Sequence, residues 1–130
     1  MGTFHIACKI ENHRDRTKAV RIPKLLVDTG SEHTWVPAAT LEKIGVVREK
    51  KDVRFIMANG EVVTRSVGFA ILRVGSNFTI DEVVFAEPAP TSCCRKTAVG
   101  VLGARTLEGL NLTVDSARKR LVAAGPLPAA

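Results

Sequence analysis

Leu25-Leu26-Val27-Asp28-Thr29-Gly30-Ser31 decides how this chain is read. Three apolar residues, the mark of a buried strand, run straight into a carboxylate, which is followed by a hydroxyl, a glycine and a second hydroxyl. Burying an aspartate at a strand end is costly unless donors meet its charge or it keeps its proton. Thr29, Gly30 and Ser31 offer such donors, small groups whose N–H and O–H can turn back onto a carboxylate in a tight turn. Gly30 also lets a backbone or a ligand come close. Alone, the tripeptide fits a plain Asx-turn between strands equally well, so its neighbours have to decide.

Three more stretches stand in order along the chain. Ala58-Asn59-Gly60 is a turn between two strand-like runs, and Asn-Gly is a strong short hairpin signal. Val99-Gly100-Val101-Leu102-Gly103 is a second apolar run ending in glycine, with a helix-like segment from Ala104 to Leu110 behind it. Leu110-x-Leu112-x-Val114-Asp115 closes the series. Together with Leu26 to Ser31, these elements resemble the retropepsin-like aspartic proteases, single-domain relatives of pepsin.

The resemblance covers most of the chain. It implies an all-β acid-protease fold, a closed barrel-like domain with one or two short helices. It implies that Asp28 is the catalytic carboxylate and that Thr29, Gly30 and Ser31 support its loop. Thr29 would bond across a dimer, Gly30 would donate N–H to the carboxylate, and Ser31 would bond the outer Asp28 oxygen. Ala58, Asn59 and Gly60 would form the tip of a flap over substrate, and Leu102 and Gly103 would pass beneath the catalytic loop as support. Retroviral members carry several glycines where this chain has Asn59-Gly60, and the segment from Glu87 to Thr97 is a loop that does not align with the family's motifs and stays unassigned.

The chemistry adds a condition. Hydrolysis by this route needs one carboxylate to activate water and a second carboxylic acid to polarise the scissile carbonyl. The chain has a single Asp-Thr-Gly, and 130 residues cannot hold two pepsin lobes. The second Asp28 therefore has to come from a second copy, in a symmetric homodimer with the site on its axis. The expected activity is endopeptidase cleavage of extended polypeptide, without a cofactor. The rival on the same fold is a non-catalytic peptide-binding or dimerisation module, against which the intact Asp28 to Ser31 argues.

Composition excludes other classes. The chain is long enough for one core, read as a domain over residues 1–124 with a flexible tail over 125–130. No apolar stretch approaches the ~20 residues of a membrane helix. Met1 to Ile6 shows neither a basic n-region nor an apolar h-region, which reads as cytoplasmic. Three cysteines, two of them adjacent at Cys93-Cys94, do not make a disulfide framework. A redox or metal role for that pair is a further rival, but His5, His13 and His33 are too scattered to complete a metal set. The net charge of +6 is spread among acidic residues, and with no Tyr and one Trp a stacking platform for nucleic acid is not expected. If the charge has a role, it favours acidic substrates.

In chain order, alternation predicts a strand from Phe4 to Ile10, a polar turn from Glu11 to Arg16, and a strand from Thr17 to Val27 with Pro23 marking a bulge or edge. Thr34 to Val36 reads as a strand, and Ala38 to Ile44 as a short helix between Pro37 and Gly45. Strands follow at 54–58, 61–67, 69–74 and 78–85, with a helix from Gly103 to Leu110 and a last strand from Leu112 to Val122. Trp35 is a core anchor or pocket wall, and Asp115 belongs to a turn.

Overall fold

The computed structural model describes residues 4–87, 100–127 and 129. The elements come in the order β1 (Phe4–Glu11), β2 (Ala19–Val27), β3 (Thr34–Pro37), α1 (Ala38–Lys43), β4 (Lys50–Ile56), β5 (Val62–Val74), β6 (Asn77–Ala86), β7 (Val101–Leu102), α2 (Ala104–Leu110), β8 (Leu112–Asp115) and β9 (Arg120–Ala123). One sheet runs β1-β2-β7-β3-β6-β5-β4, and β1 also pairs with β5. Six strands thus close into a ring from which β4 projects. This is the all-β fold with two short helices expected from the sequence. No helix among the described residues is long and apolar enough to cross a membrane.

The ring closes because alternate residues along its strands are apolar and point inward. Ile10, Leu25, Val36, Leu72, Val83, Phe85 and Leu102 are all fully buried and form one cluster, joined by Leu41 from α1 and Leu107 from α2. Cys8 sits in this cluster, where burial pushes its thiol up to about 11 against a smaller opposing effect of a backbone hydrogen bond from Arg73. Pro23 makes the bulge its missing N–H predicts: Ile6 pairs with Leu25 and Cys8 with Ile22, so Pro23 and Lys24 share the place opposite Ala7.

Two boundaries differ from expectation. β5 is a single strand of 13 residues where two are expected on either side of Gly68. Gly68 stays in the ladder opposite Val83, and a Cβ there would collide with the Val47 carbonyl and the side chains of Val46 and Phe85. The glycine marks a close crossing, not a break. At the other end, the single strand expected over 112–122 is a hairpin of β8 and β9. Asp115 turns it, accepting the Arg118 N–H at 3.3 Å and meeting Arg120 at 3.5 Å, while Lys119 takes φ 51°. Gly125, read as the start of the tail, is held by the Asn111 amide at 2.9 Å.

The tightest constraint lies where β7 meets α2. A Cβ on Gly103 would overlap the carbonyl carbon and oxygen of His33, both backbone atoms that cannot yield. Gly103→Ala is therefore expected to cost about 3 kcal/mol of stability, the upper part of the usual overpacking range. Gly60→Ala meets nothing within 4 Å and suffers only its left-handed φ of +88°, so about 1 kcal/mol is expected. Urea unfolding of both variants checks the order; equal costs would mean that the crossing at Gly103 is not tight.

Candidate active site

Asp28 is the first residue past the end of β2, and its backbone is fixed from below. Leu26 and Val27 pair in parallel with Val101 and Leu102, and the Asp28 N–H donates to the Leu102 carbonyl at 3.1 Å. The chain then turns at once: the Ser31 N–H donates to the Asp28 carbonyl at 3.2 Å, and the Gly30 N–H donates to Asp28 Oδ1 at 2.9 Å. A Cβ on Gly30 would stand 3.1 Å from that same carboxylate oxygen, so glycine leaves the carboxylate its contact and its open face.

The far side of the loop is pinned by α2. The Ala104 N–H donates to the Ser31 carbonyl at 2.7 Å and the Arg105 N–H to the Glu32 carbonyl at 3.0 Å, so loop carbonyls satisfy the free N–H groups at the start of the helix. Beneath them runs a buried relay. The Gly103 N–H donates to Thr34 Oγ1 at 3.0 Å, the Thr34 and Thr106 hydroxyls meet at 2.6 Å, and Thr106 donates to Asp81 Oδ2 at 2.8 Å. Leu102 and Gly103 are both buried.

Ser31 corrects one expectation. Its hydroxyl donates to the His33 carbonyl at 2.9 Å and not to the Asp28 carboxylate. The reason is local: the turn spends the Ser31 N–H on the Asp28 carbonyl, which sends the side chain onward along the chain. Thr29 is exposed, as is Gly30, so this loop is presented at the molecular surface.

Asp28, Gly30 and Ser31 line a cleft of about 960 Å³. Glu32, His33, Trp35 and Val101 continue the same side, and residues 53–58 of β4 and the following turn supply the other. Of the turn residues anticipated there, Ala58 lines the cleft, while Asn59 and Gly60 sit beyond it, fully exposed. The Gly60 N–H donates to the Met57 carbonyl at 2.9 Å and the Asn59 side chain accepts the Glu61 N–H at 2.9 Å, which gives a three-residue loop with only Gly60 left-handed.

Phe55 escaped the reading of the sequence. It faces inward from β4 and packs edge-on against Trp35 and His33, with centroids 5.2 and 5.3 Å away. Ile56 and Met57 beside it are apolar too, so no alternation marks Phe55 as the inward residue. Trp35 is the pocket wall that was one of its two expected roles. Next to it, Glu82 of β6 gathers three elements: Lys50 of β4 at 2.6 Å, His33 at 3.4 Å and Arg105 of α2 at 3.7 Å. The Lys50 hydrogen bond holds the Glu82 carboxyl below the ordinary range, against partial burial and with help from the charges of Arg105 and His33. Cys93, Cys94 and all of the 87–97 loop but Glu87 lie outside the described residues. Among the described residues, no three His, Cys, Asp or Glu side chains are grouped to hold a metal ion.

A family model described as aspartyl protease matches residues 18–106. The match takes in the Asp28 loop, the β4–β5 hairpin and the Val101 to Gly103 crossing, and leaves out β1 and the β8–β9 hairpin. No curated protein matches the chain.

The Glu82 cluster carries a pH dependence of defined sign. A carboxyl depressed on folding stabilises the fold above its unfolded pKa, and that contribution is lost as pH falls through the lower folded value. Glu82→Gln should therefore flatten the fall in thermal midpoint below the ordinary glutamate pKa of about 4.3. Melting curves recorded from neutral pH downward test this; an acid limb parallel to that of the parent would show that Glu82 is not held in its charged form.

Proposed function

The chain belongs to the retropepsin-like aspartyl proteases, and from that premise we propose that it is an aspartic endopeptidase whose active site is completed by a second copy of itself. The observation that carries the proposal is the Asp28 loop, a carboxylate gripped by the Gly30 N–H at 2.9 Å on the open side of a cleft about 960 Å³ in volume. A loop braced this firmly from below, yet exposed at Thr29 and Gly30, suits an isologous contact across a two-fold axis.

In that dimer the two Asp28 carboxyls share one proton, because two like charges about 3 Å apart cannot both ionise. The ionised carboxylate takes a proton from the water held between them as its oxygen adds to the scissile carbonyl carbon. The protonated carboxyl donates its proton toward the carbonyl oxygen, giving a neutral tetrahedral diol. Collapse passes a proton to the departing nitrogen, breaks the C–N bond and restores the shared proton. Thr29 fixes the separation of the two carboxyls by bonding across the axis. Gly30 holds each carboxylate in plane, and Ser31 stiffens the loop through His33.

The β4–β5 hairpin acts as the flap, with Ala58 over the bound chain and Asn59-Gly60 at its tip. Ile56 and Val62, both exposed on this hairpin, give it an apolar surface to lay on an extended polypeptide. Trp35, Phe55, Met57 and Val101 make much of the cleft apolar, which favours substrates with large apolar residues beside the scissile bond.

Two measurements test the proposal. Asp28→Asn should abolish cleavage of an unstructured protein and leave the melting temperature close to that of the parent; retained proteolysis would end the assignment. Specific activity should fall steeply on dilution, and Thr29→Val should lower activity and dimer content together. Constant specific activity where sedimentation shows only monomer would rule out a shared site.

A further inference from the structure

The outward face of β1, β2, β5 and β6 carries an unusual arrangement of charge. The register puts Arg21 opposite Lys9, Lys9 opposite Arg73, and Arg73 opposite Phe78. One row across four strands therefore reads cation, cation, cation, aromatic ring. Like charges directly opposite one another weaken a sheet. The neighbouring row, Ala19, Glu11, Ile71 and Ile80, contains one carboxylate. Glu11 meets Arg16 at 3.1 Å, Arg73 at 3.3 Å and Lys9 at 3.4 Å, with its side chain only 5% exposed. Burial pushes its carboxyl up, but the hydrogen bonds and charge of these cations outweigh that and hold it below the ordinary range. Four cations against one buried carboxylate leave this end of the face basic.

Beside the basic end lies an apolar strip. Phe78 is 53% exposed and Ile80 60% exposed, on the same face of β6 with buried Ile71 alongside. Two residues further, Glu82 touches His33, which lines the cleft. Four steps along the strand separate Phe78 from Glu82, about 14 Å at the usual rise. The face thus runs from a cluster of cations, along exposed apolar side chains, to the rim of the cleft.

We propose that this face is a secondary docking surface for substrate, taking an acidic polypeptide segment punctuated by large apolar residues. The proposal rests on the endopeptidase reading only in calling the bound chain a substrate. Charge complementarity selects the occupant: carboxylates meet Lys9, Arg16, Arg21 and Arg73, and apolar side chains cover Ile80 and the part of Phe78 that the guanidinium groups leave exposed. A nucleic acid fits less well. Guanidinium groups already lie over the Phe78 ring, Arg73 at 4.6 Å and Arg16 at 5.5 Å, so the ring is a poor platform for a base. Glu11, set among the cations, opposes a phosphate chain.

The test is binding to the full chain carrying Asp28→Asn, so that no probe is cleaved. A short fluorescein-labelled peptide of alternating glutamate and leucine should bind, should weaken with added salt, and should lose to its lysine–leucine counterpart nowhere. Phe78→Ser with Ile80→Ser should weaken binding about tenfold or more, as truncation of interface anchors does. Arg21→Glu should also weaken it; this change relieves a like-charge pair and so keeps the test valid if the double variant fails to fold. In the active protein, Phe78→Ser should raise KM for a substrate bearing an acidic apolar arm and leave kcat and the armless substrate unchanged. Equal binding of the lysine peptide, or glutamate-peptide binding untouched by Arg21→Glu and the double variant, would overturn the proposal. Displacement of the peptide by a tighter-binding single-stranded oligonucleotide would also overturn it, in favour of a nucleic-acid face. Peptide binding lost in these variants, together with no cleavage of any substrate by the protein that retains Asp28, would support the docking surface and reject only the endopeptidase reading.

Discussion

The hydrogen bond from the Asp28 N–H to the Leu102 carbonyl joins two stretches far apart in the chain, and the local architecture depends on it. It extends the short parallel pairing of β2 with β7 by the one residue that matters, so the strand that drives Asp28 outward is held at its last step. Three further contacts follow from that register. Gly103 comes to lie against the His33 backbone, α2 begins where its free N–H groups find Ser31 and Glu32, and Thr34 takes up the Gly103 N–H. Each of these buried polar groups would be expensive to leave without a partner. The loop is therefore over-determined from below and bare above.

What could be read in the sequence follows the range of the forces involved. The apolar run into Asp28-Thr29-Gly30, the alternation of β1 and the bulge at Pro23 are local signals, and the structure agrees with each. Gly68 misled because a glycine that relieves crowding looks the same in sequence as one that ends a strand. Asp115 was rightly placed in a turn, yet the hairpin it makes was missed, because the left-handed Lys119 has no sequence signature. In the site, the Gly30 N–H and the Leu102–Gly103 support were foreseeable, whereas Ser31 turned to His33 for reasons of turn geometry alone. Phe55, Glu82 and Lys50 meet the Asp28 side of the cleft only through folding, and nothing in their immediate neighbours announces it.

Glu11 and Glu82 show how a basic chain economises on acid. Each serves several cations from different elements: Glu11 holds the β1–β2 turn to β5, and Glu82 holds β4 and α2 to β6. Because both are depressed carboxyls, these junctions stay charged through the ordinary glutamate range and loosen only as pH falls below it.

Gly68 has a mechanical consequence. Midway along β5, where the hairpin leaves the ring, a glycine invites description as a pivot. Wedged under the Val47 carbonyl and the Phe85 ring, it is instead a point of close packing with no room for a side chain. Any bending of the hairpin would then fall nearer the tip, and lifting it there would part Phe55 from Trp35 and His33. Two edge-on aromatic pairs are worth about 0.5–1.5 kcal/mol each beyond the area they bury. A hairpin built this way is less a door on a hinge than a blade gripped at its root and caught at midspan.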